Sequence, residues 1–563
     1  MRNSFFLFFF LSTIGFAQPT VPTDYFSHPL DITMYLSGTF GELRNNHFHS
    51  GLDIRTQQRE GVPVYAAADG YVSRINVQHF GYGKALYILH PNGYTTVYAH
   101  LQKYAGEVEA YVKKQQYSKE SYEIQVYPEA SVLPVKKGDL IGYSGNTGGS
   151  GGPHLHFEIR DGSQRPMNPM LFGIELKDDI PPIINGLYAY PVGDSAHVNY
   201  NQNKSKIRLV KIKDGTYTTE GIEAFGKIGF GIAAIDRLNG GTNQNGVYRI
   251  STQLNAKTSF EVRLDRFSFD ETRYINRYID YEHFRINRDR IQKLFRESSN
   301  PLSIIVQDYN DGFLEIQDTL DYSYTISVFD FAGNETTIIV PIHGKRGEVL
   351  IPRVKNEGTD LIHSNYATSL TKGKFLVYFP IGALYEDAYL EINAQGDTID
   401  LHKDEVPLHK SITLTADISQ YAVEDRAKLY IGLIQYRGAP RYVPTRRSGE
   451  KLTATIRNFG NYTIAQDVTP PRVTPVNFSE GKWLSNESTL RVKIEDNESG
   501  ISAYRATING KFILMEYEYK TKTLTYDFSD NVIQDAENNL KLVVIDNTGN
   551  STTFETKFYR KSN

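Results

Sequence analysis

Three short stretches of this 563-residue sequence hold the residue types that bind metals and move protons. The first is His49-Ser50-Gly51-Leu52-Asp53, an H-x-x-x-D. The second is Tyr98-Ala99-His100-Leu101, and the third is Pro153-His154-Leu155-His156-Phe157-Glu158-Ile159, an H-x-H inside an alternating run. Side chains two apart in a strand share a face. His154, His156 and Glu158 therefore face one way, and Leu155, Phe157 and Ile159 the other, where they can pack on a core. By the same rule Thr96, Tyr98 and His100 share a face opposite Val97, Ala99 and Leu101. Two strands that each offer His from a polar face make an open-sided metal site. A set of two His and one Asp suits zinc, because three protein ligands leave the fourth tetrahedral position for water, as in a catalytic site. Zinc there lowers the water pKa toward about 7 and polarises a carbonyl.

The composition narrows the alternatives. There is no Cys, which excludes disulfides, thiolate metal sites and Cys nucleophiles, and leaves His, Asp and Glu as transition-metal ligands. Eight of the fourteen His lie before residue 180, the same third of the chain that holds all three stretches. A net charge of −4 with no long basic run argues against a nucleic-acid partner. At the N-terminus, Arg2, the apolar run from Phe5 to Phe16 and Gly15-Phe16-Ala17 read as a secretory signal cleaved after Ala17. That run is short of the ~20 residues a spanning helix needs, and no other stretch is long and apolar enough, so no stable membrane span is expected.

The positioning elements follow from pattern. Ala85 to His90 and Tyr94 to Leu101 read as two strands joined at Asn92-Gly93, a strong hairpin signal. Many aromatic residues (39 Tyr and 30 Phe) and frequent Gly suggest a mainly β chain. Glu107 to Glu120 reads instead as a charged helix, which would either wall the groove or lie solvated on the surface. Asp179-Ile180-Pro181-Pro182 and Asp467-Val468-Thr469-Pro470-Pro471 read as linkers, since Pro-Pro continues neither a helix nor a central strand. Ser327 to Asn334 (S-V-F-D-F-A-G-N) and Val543 to Asn550 (V-V-I-D-N-T-G-N) each read as strand, D-x-x-G-N turn and second strand. The expected organisation is a signal over 1–17, a β-sheet catalytic domain over 18–178 with a helical insertion near 105–130, an immunoglobulin-like β-sandwich over 180–345, a β-rich domain of unassigned type over 346–466, and a second immunoglobulin-like sandwich over 467–563. The first sandwich would carry a helical insertion over Tyr274 to Glu297.

Residues 36–172 resemble the LytM/lysostaphin-type zinc endopeptidases. The resemblance rests on Phe48 to Ile54, Gly61 to Gly70, Gly81-Tyr82-Gly83, Thr95 to Leu101, Val135 to Gly142, and Gly145-Asn146-Thr147-Gly148 running on to Glu158. It implies a catalytic domain of the LytM (duplicated hybrid motif) fold, with zinc held by His49, Asp53 and His156. It further implies that His100 and His154 act on the water and substrate, and that the substrate is the peptide cross-links of bacterial peptidoglycan. The protein would then work in the periplasm or outside the cell, with the later β domains available to envelope protein partners. Degenerate members of the same family lack ligands and instead bind and activate other wall hydrolases. All five positions are filled here, which favours an enzyme. A third possibility is a general secreted protease acting on Gly-rich proteins. His47 would be either a second partner of the site or a surface residue. Because the motifs end before Pro181-Pro182, a fragment over 18–179 is expected to fold and keep the chemistry.

Overall fold

A computed structural model of the chain describes residues 21–174, 176–354 and 358–561. The expected signal segment lies outside them. No helix among the described residues is long and apolar enough to cross a membrane.

The alternating stretches of the N-terminal region form the strands of a nine-stranded sheet. The strands that matter to the site are β1 (Leu36–Gly38), β2 (Leu52–Arg55), β3 (Pro63–Tyr65), β4 (Gly70–Val77), β5 (Lys84–Leu89), β6 (Thr95–Ala99), β7 (Leu101–Tyr104), β8 (Ile124–Val126), β9 (Leu140–Ser144) and β10 (His154–Arg160). The large sheet runs β1-β2-β10-β6-β5-β4-β8, and a small sheet runs β3-β9-β7. β5 and β6 are antiparallel and close through Asn92-Gly93, with Gly93 at φ +85°. β10 lies between β2 and β6, pairing His156 with Asp53 on one side and with Ala99 on the other. Leu155, Phe157 and Ile159 are fully buried in the core with Leu52 and Ile54.

The register corrects one expectation. Residues directly opposite in a sheet share a face. Ala99 pairs with His156 and Val97 with Glu158, so the metal-side face of β6 carries Val97 and Ala99. Thr96 and Tyr98 turn into the core instead. There the Tyr98 hydroxyl accepts from Ala67 N–H (2.8 Å), and Thr96 Oγ1 lies 2.8 Å from His90 Nε2. His100 reaches the site by leaving the strand: β6 ends at Ala99, and His100 adopts φ +59°. A non-Gly residue in that region stores about 1–3 kcal/mol of strain, which the surroundings must hold. Here the His100 N–H is tied to Tyr82 O (3.0 Å).

The expected insertion helix is α1 (Gly106–Lys119). It neither lids the groove nor stands free. Val108, Val112 and Gln116 face the catalytic domain, while Lys113 and Tyr117 meet Asp530 of the last module.

Residues 183–344 form one hydrogen-bonded network of twelve strands, built on the paired strands Ile183–Val198 and Ile222–Ile235. This differs from the two separate sheets of a minimal immunoglobulin-like sandwich. The two long strands break register between Val192 and His197, and such bulges let a strand bend and stay paired. Within the expected insertion, helices cover only Ile275–Tyr278 and Tyr281–Asn287; Arg288 ends the second in a left-handed turn, and Gln292–Lys293 is strand. Residues 368–466 contain two five-stranded sheets around one core, and residues 472–559 two four-stranded sheets around another. Both D-x-x-G-N segments join antiparallel strands.

The core of the N-terminal domain does not stop at Pro181-Pro182. One apolar cluster runs from Phe26 to Ile342. Phe40 and Phe48 pack against Phe267 of the following module with tilted rings, at ring distances of 5.2 and 5.4 Å. A fragment over 18–179 would expose that face to water.

Candidate metal centre and groove

Three atoms converge at the floor of a groove of about 1420 Å³. His49 Nε2 lies 3.0 Å from Asp53 Oδ1 and 3.1 Å from His156 Nδ1, and His156 Nδ1 lies 2.9 Å from the same Asp53 oxygen. The other ring nitrogens fix the tautomers. His49 Nδ1–H donates to Thr39 O (2.7 Å), and His156 Nε2–H donates to Glu158 Oε1 (2.8 Å). When the rings are neutral both inward nitrogens therefore present lone pairs, as does the carboxylate oxygen. Three donor atoms within about 3 Å of one another, each able to present a lone pair, make a candidate cation site, and their N₂O chemistry suits zinc. Burial alone would lower the His156 pKa, but its hydrogen bonds to Asp53 and Glu158 raise it to about 9. A cation held here would displace the proton that Asp53 and Glu158 favour on His156.

Behind His156 stands a fully buried acid. Glu158 Oε1 also accepts from Ser50 Oγ (2.6 Å) and from the Tyr82 hydroxyl, and Oε2 accepts from Arg160 Nε (2.6 Å). Burial would raise Glu158, but Arg160 and His156 hold it well below the usual carboxylate range. Asp53 is likewise lowered against its burial, chiefly by His49. Its second oxygen takes Arg44 Nη2 at 2.9 Å. Arg44 carries no motif, and nothing in the sequence singled it out. It sits in the small Leu43–Arg44/His47–Phe48 hairpin. His47, in the same hairpin, is turned to Asn45 O (2.8 Å) rather than to the metal-site residues.

His100 and His154 flank the triad. Their rings are 4.8 Å apart, and His154 Nε2 is 3.4 Å from Asp53 Oδ1. Each donates Nδ1–H to a backbone carbonyl of one glycine-rich loop, His100 to Thr147 and His154 to Gly152, both at 2.8 Å. That leaves both Nε2 atoms as acceptors when the rings are neutral. Burial, with His156 and His154 nearby, lowers the His100 pKa to about 3, so His100 is neutral at physiological pH. Two glycines permit the loop's position. A Cβ on Gly148 would meet Gly83 N at 2.3 Å, and one on Gly83 would meet the Thr147 carbonyl carbon at 2.5 Å.

The last module braces this loop from outside. Lys520 Nζ donates to the carbonyls of Asn146, Gly148 and Ser150, and the Tyr519 hydroxyl to Gly148 O (3.1 Å). On the opposite wall, Gly240, Phe269 and Thr272 of the 183–344 module line the groove.

Comparison with known proteins agrees with this picture. Residues 47–117 and 130–169 match the profile of Peptidase family M23, and residues 359–467 match that of a Zu5-like domain. The chain is 31% identical over 162 residues to the DD-carboxypeptidase/endopeptidase Mpg of Neisseria meningitidis, covering 29% of this chain and 28% of that protein. It is 32% identical over 160 residues to the peptidoglycan DD-endopeptidase ShyA of Vibrio cholerae, covering 27% and 31%. The likeness thus spans about three tenths of each relative. Among solved structures, the catalytic domain of lysostaphin from Staphylococcus simulans is 27% identical, with a TM-score of 0.18, over 25% of this chain and 90% of that one. The protein is therefore an N-terminal M23 (LytM-type) peptidase domain followed by β-sheet modules.

Proposed function

We propose that this protein is an exported zinc metalloendopeptidase that hydrolyses peptide cross-links of bacterial peptidoglycan. The observation that carries the reading is the convergence of the His49, Asp53 and His156 donor atoms, with His100 and His154 beside them, each tied through Nδ1–H to the backbone. The names of the relatives as DD-endopeptidases support the substrate class. In this reading His49, Asp53 and His156 hold the ion. When bound, zinc lowers the pKa of a water at its open position and polarises the scissile carbonyl. His100 and His154 take the proton of the attacking water and return it to the leaving amine, or donate to the oxyanion. Because Nδ1–H of each is held by the backbone, the proton is exchanged at Nε2. Glu158 holds His156 in its metal-binding tautomer, and Arg44 orients Asp53.

Zinc content tests the site. Purified full-length protein should hold about one zinc at this centre, and His49→Ala, Asp53→Ala or His156→Ala should lose it. A wild-type protein that takes up no zinc would leave the non-catalytic, hydrolase-activating alternative as the better reading.

A further inference from the structure

A second group of convergent ligand atoms lies where the catalytic domain, the Pro181-Pro182 linker and the next module meet. One carboxylate oxygen each of Asp178, Asp236 and Asp330 lies within 4.8 Å of the other two. Asp330 opens the first D-x-x-G-N turn, Asp178 stands three residues before Pro181, and Asp236 follows the strand Ile222–Ile235. Burial raises the pKa of all three, and Asp236, crowded by Asp178 and Asp330, is pushed up to about 7. Separate observations point to a ligand. Asp236 is 3% exposed, yet its Oδ1 has no hydrogen-bond partner among the described residues. Asn245, also 3% exposed, is bridged backbone to backbone with Asp236 through two 2.9 Å hydrogen bonds, and its Oδ1 is equally unpartnered. Bridged residues put their side chains on one side, so the unpartnered Asn245 amide lies on the same side of the bridge as the Asp236 carboxylate. A cavity of about 20 Å³ lies against Asp178 and Asp236, and about 10–15 Å³ admits one water-sized occupant.

We propose that Asp178, Asp236, Asp330 and the Asn245 amide oxygen bind a hard divalent cation, calcium. All the donors are oxygen and no imidazole is present, which separates this site from the zinc centre. The ion offsets the repulsion among the three acids and satisfies the orphan oxygens, Asp178 Oδ2 as well as Asp236 Oδ1 and Asn245 Oδ1. It also closes the base of loop 237–244. The tip of that loop reaches the catalytic groove: Gly240 lines it, and Asn243 Nδ2 donates to Ser37 O (3.0 Å). Just past the bridge, Gly246 N–H donates to Thr39 Oγ1, and Thr39 O holds His49. The cation therefore fixes the module that forms one groove wall. The last module repeats the arrangement with Asp467, Asp496 and Asp546, but there no buried carboxylate oxygen is left without a partner, and the proposal is confined to the first site.

The test uses the full chain, loaded with zinc and freed of calcium. Calcium chloride is titrated by calorimetry, and thermal unfolding is followed with and without calcium, for wild type, Asp236→Asn and Asp178→Asn. Wild type should bind calcium and melt at higher temperature in its presence. Both variants should lose one binding event or bind about tenfold more weakly or worse, because ligand charge sets affinity. Without calcium, Asp236→Asn should melt no lower than wild type, since it removes one of three crowded charges. Asp178→Asn, in the half-buried linker, supplies the same comparison if Asp236→Asn fails to fold. No calcium uptake by wild type, or an unchanged calcium response in the variants, would overturn the proposal.

Discussion

Glu158→Gln separates what the buried acid does for the fold from what it does for the metal. Glu158 is 0% exposed and makes four polar contacts: His156, Ser50 and Tyr82 at Oε1, and Arg160 at Oε2. A glutamine can accept the first three, but its NH₂ group then faces the Arg160 Nε–H. The guanidinium, itself buried, is left without a counter-charge, and breaking a buried pair from one side costs about 3–5 kcal/mol. Arg160 also lies over the rings of Phe269 (4.8 Å) and Tyr87 (5.5 Å), which keeps the loss toward the lower figure. The second effect is on zinc. Removing the charge behind a ligating imidazole lowers metal affinity about 10–100-fold. The two effects part in the double variant Glu158→Gln/Arg160→Met, which contains no unpaired charge. Its thermal midpoint should return most of the way to wild type, while zinc affinity, measured by chelator competition, stays at least about tenfold weak. Wild-type zinc affinity in the double variant would refute the reasoning, because the carboxylate would then act only by holding the fold together.

Other outcomes follow from the same contacts. His100→Ala and His154→Ala should each keep near-stoichiometric zinc while losing about 10²–10⁴-fold in turnover of a cross-linked muropeptide; loss of zinc in His154→Ala would show it to be a ligand. Lys520→Ala frees three carbonyls of the loop that holds His100 and His154, so kcat should fall by up to about 100-fold with zinc content unchanged; wild-type kcat would show the brace to be idle. Glu516 pairs with Lys84 (2.7 Å) and Lys113 across the junction of the catalytic domain and the last module. Burial would raise its pKa, but Lys84 and then Lys113 lower it below the ordinary 4.5. A carboxyl lowered on docking stabilises the docked form above that value, and the contribution is lost as pH falls through the lowered one. Small-angle scattering should therefore show the radius of gyration rising as pH drops below 4.5, and a constant radius would contradict the docking.

The parts of this molecule that follow a local period were legible in the sequence. The alternation around His154 and His156 gives both the buried Leu155-Phe157-Ile159 face and the polar face of β10 that carries the two His. Asn92-Gly93 gives the turn that brings β6 beside it. The same arithmetic puts His100 on a polar face, but the strand ends one residue earlier and a left-handed turn delivers the ring, a change that period-two reasoning cannot register. Arg44 and Thr39 act on Asp53 and His49 through contacts set by tertiary packing, and no spacing encodes them. Pro181-Pro182 reads as a linker because of backbone chemistry, yet Phe267 packs on Phe40 and Phe48 across it, and aromatic residues far apart in sequence give no sign that they share a core. The D-x-x-G-N segments read as turns because Gly and Asn announce them. The role of their Asp emerges only when the fold brings Asp178 and Asp236 alongside.

The central claim is best tested by digesting purified sacculi with the zinc-loaded full chain and identifying the soluble products by mass spectrometry. Cross-linked muropeptide dimers should be converted to monomers by cleavage within the peptide bridge, and His49→Ala should leave the dimers intact. Dimers that persist with the zinc-loaded wild-type protein would contradict it.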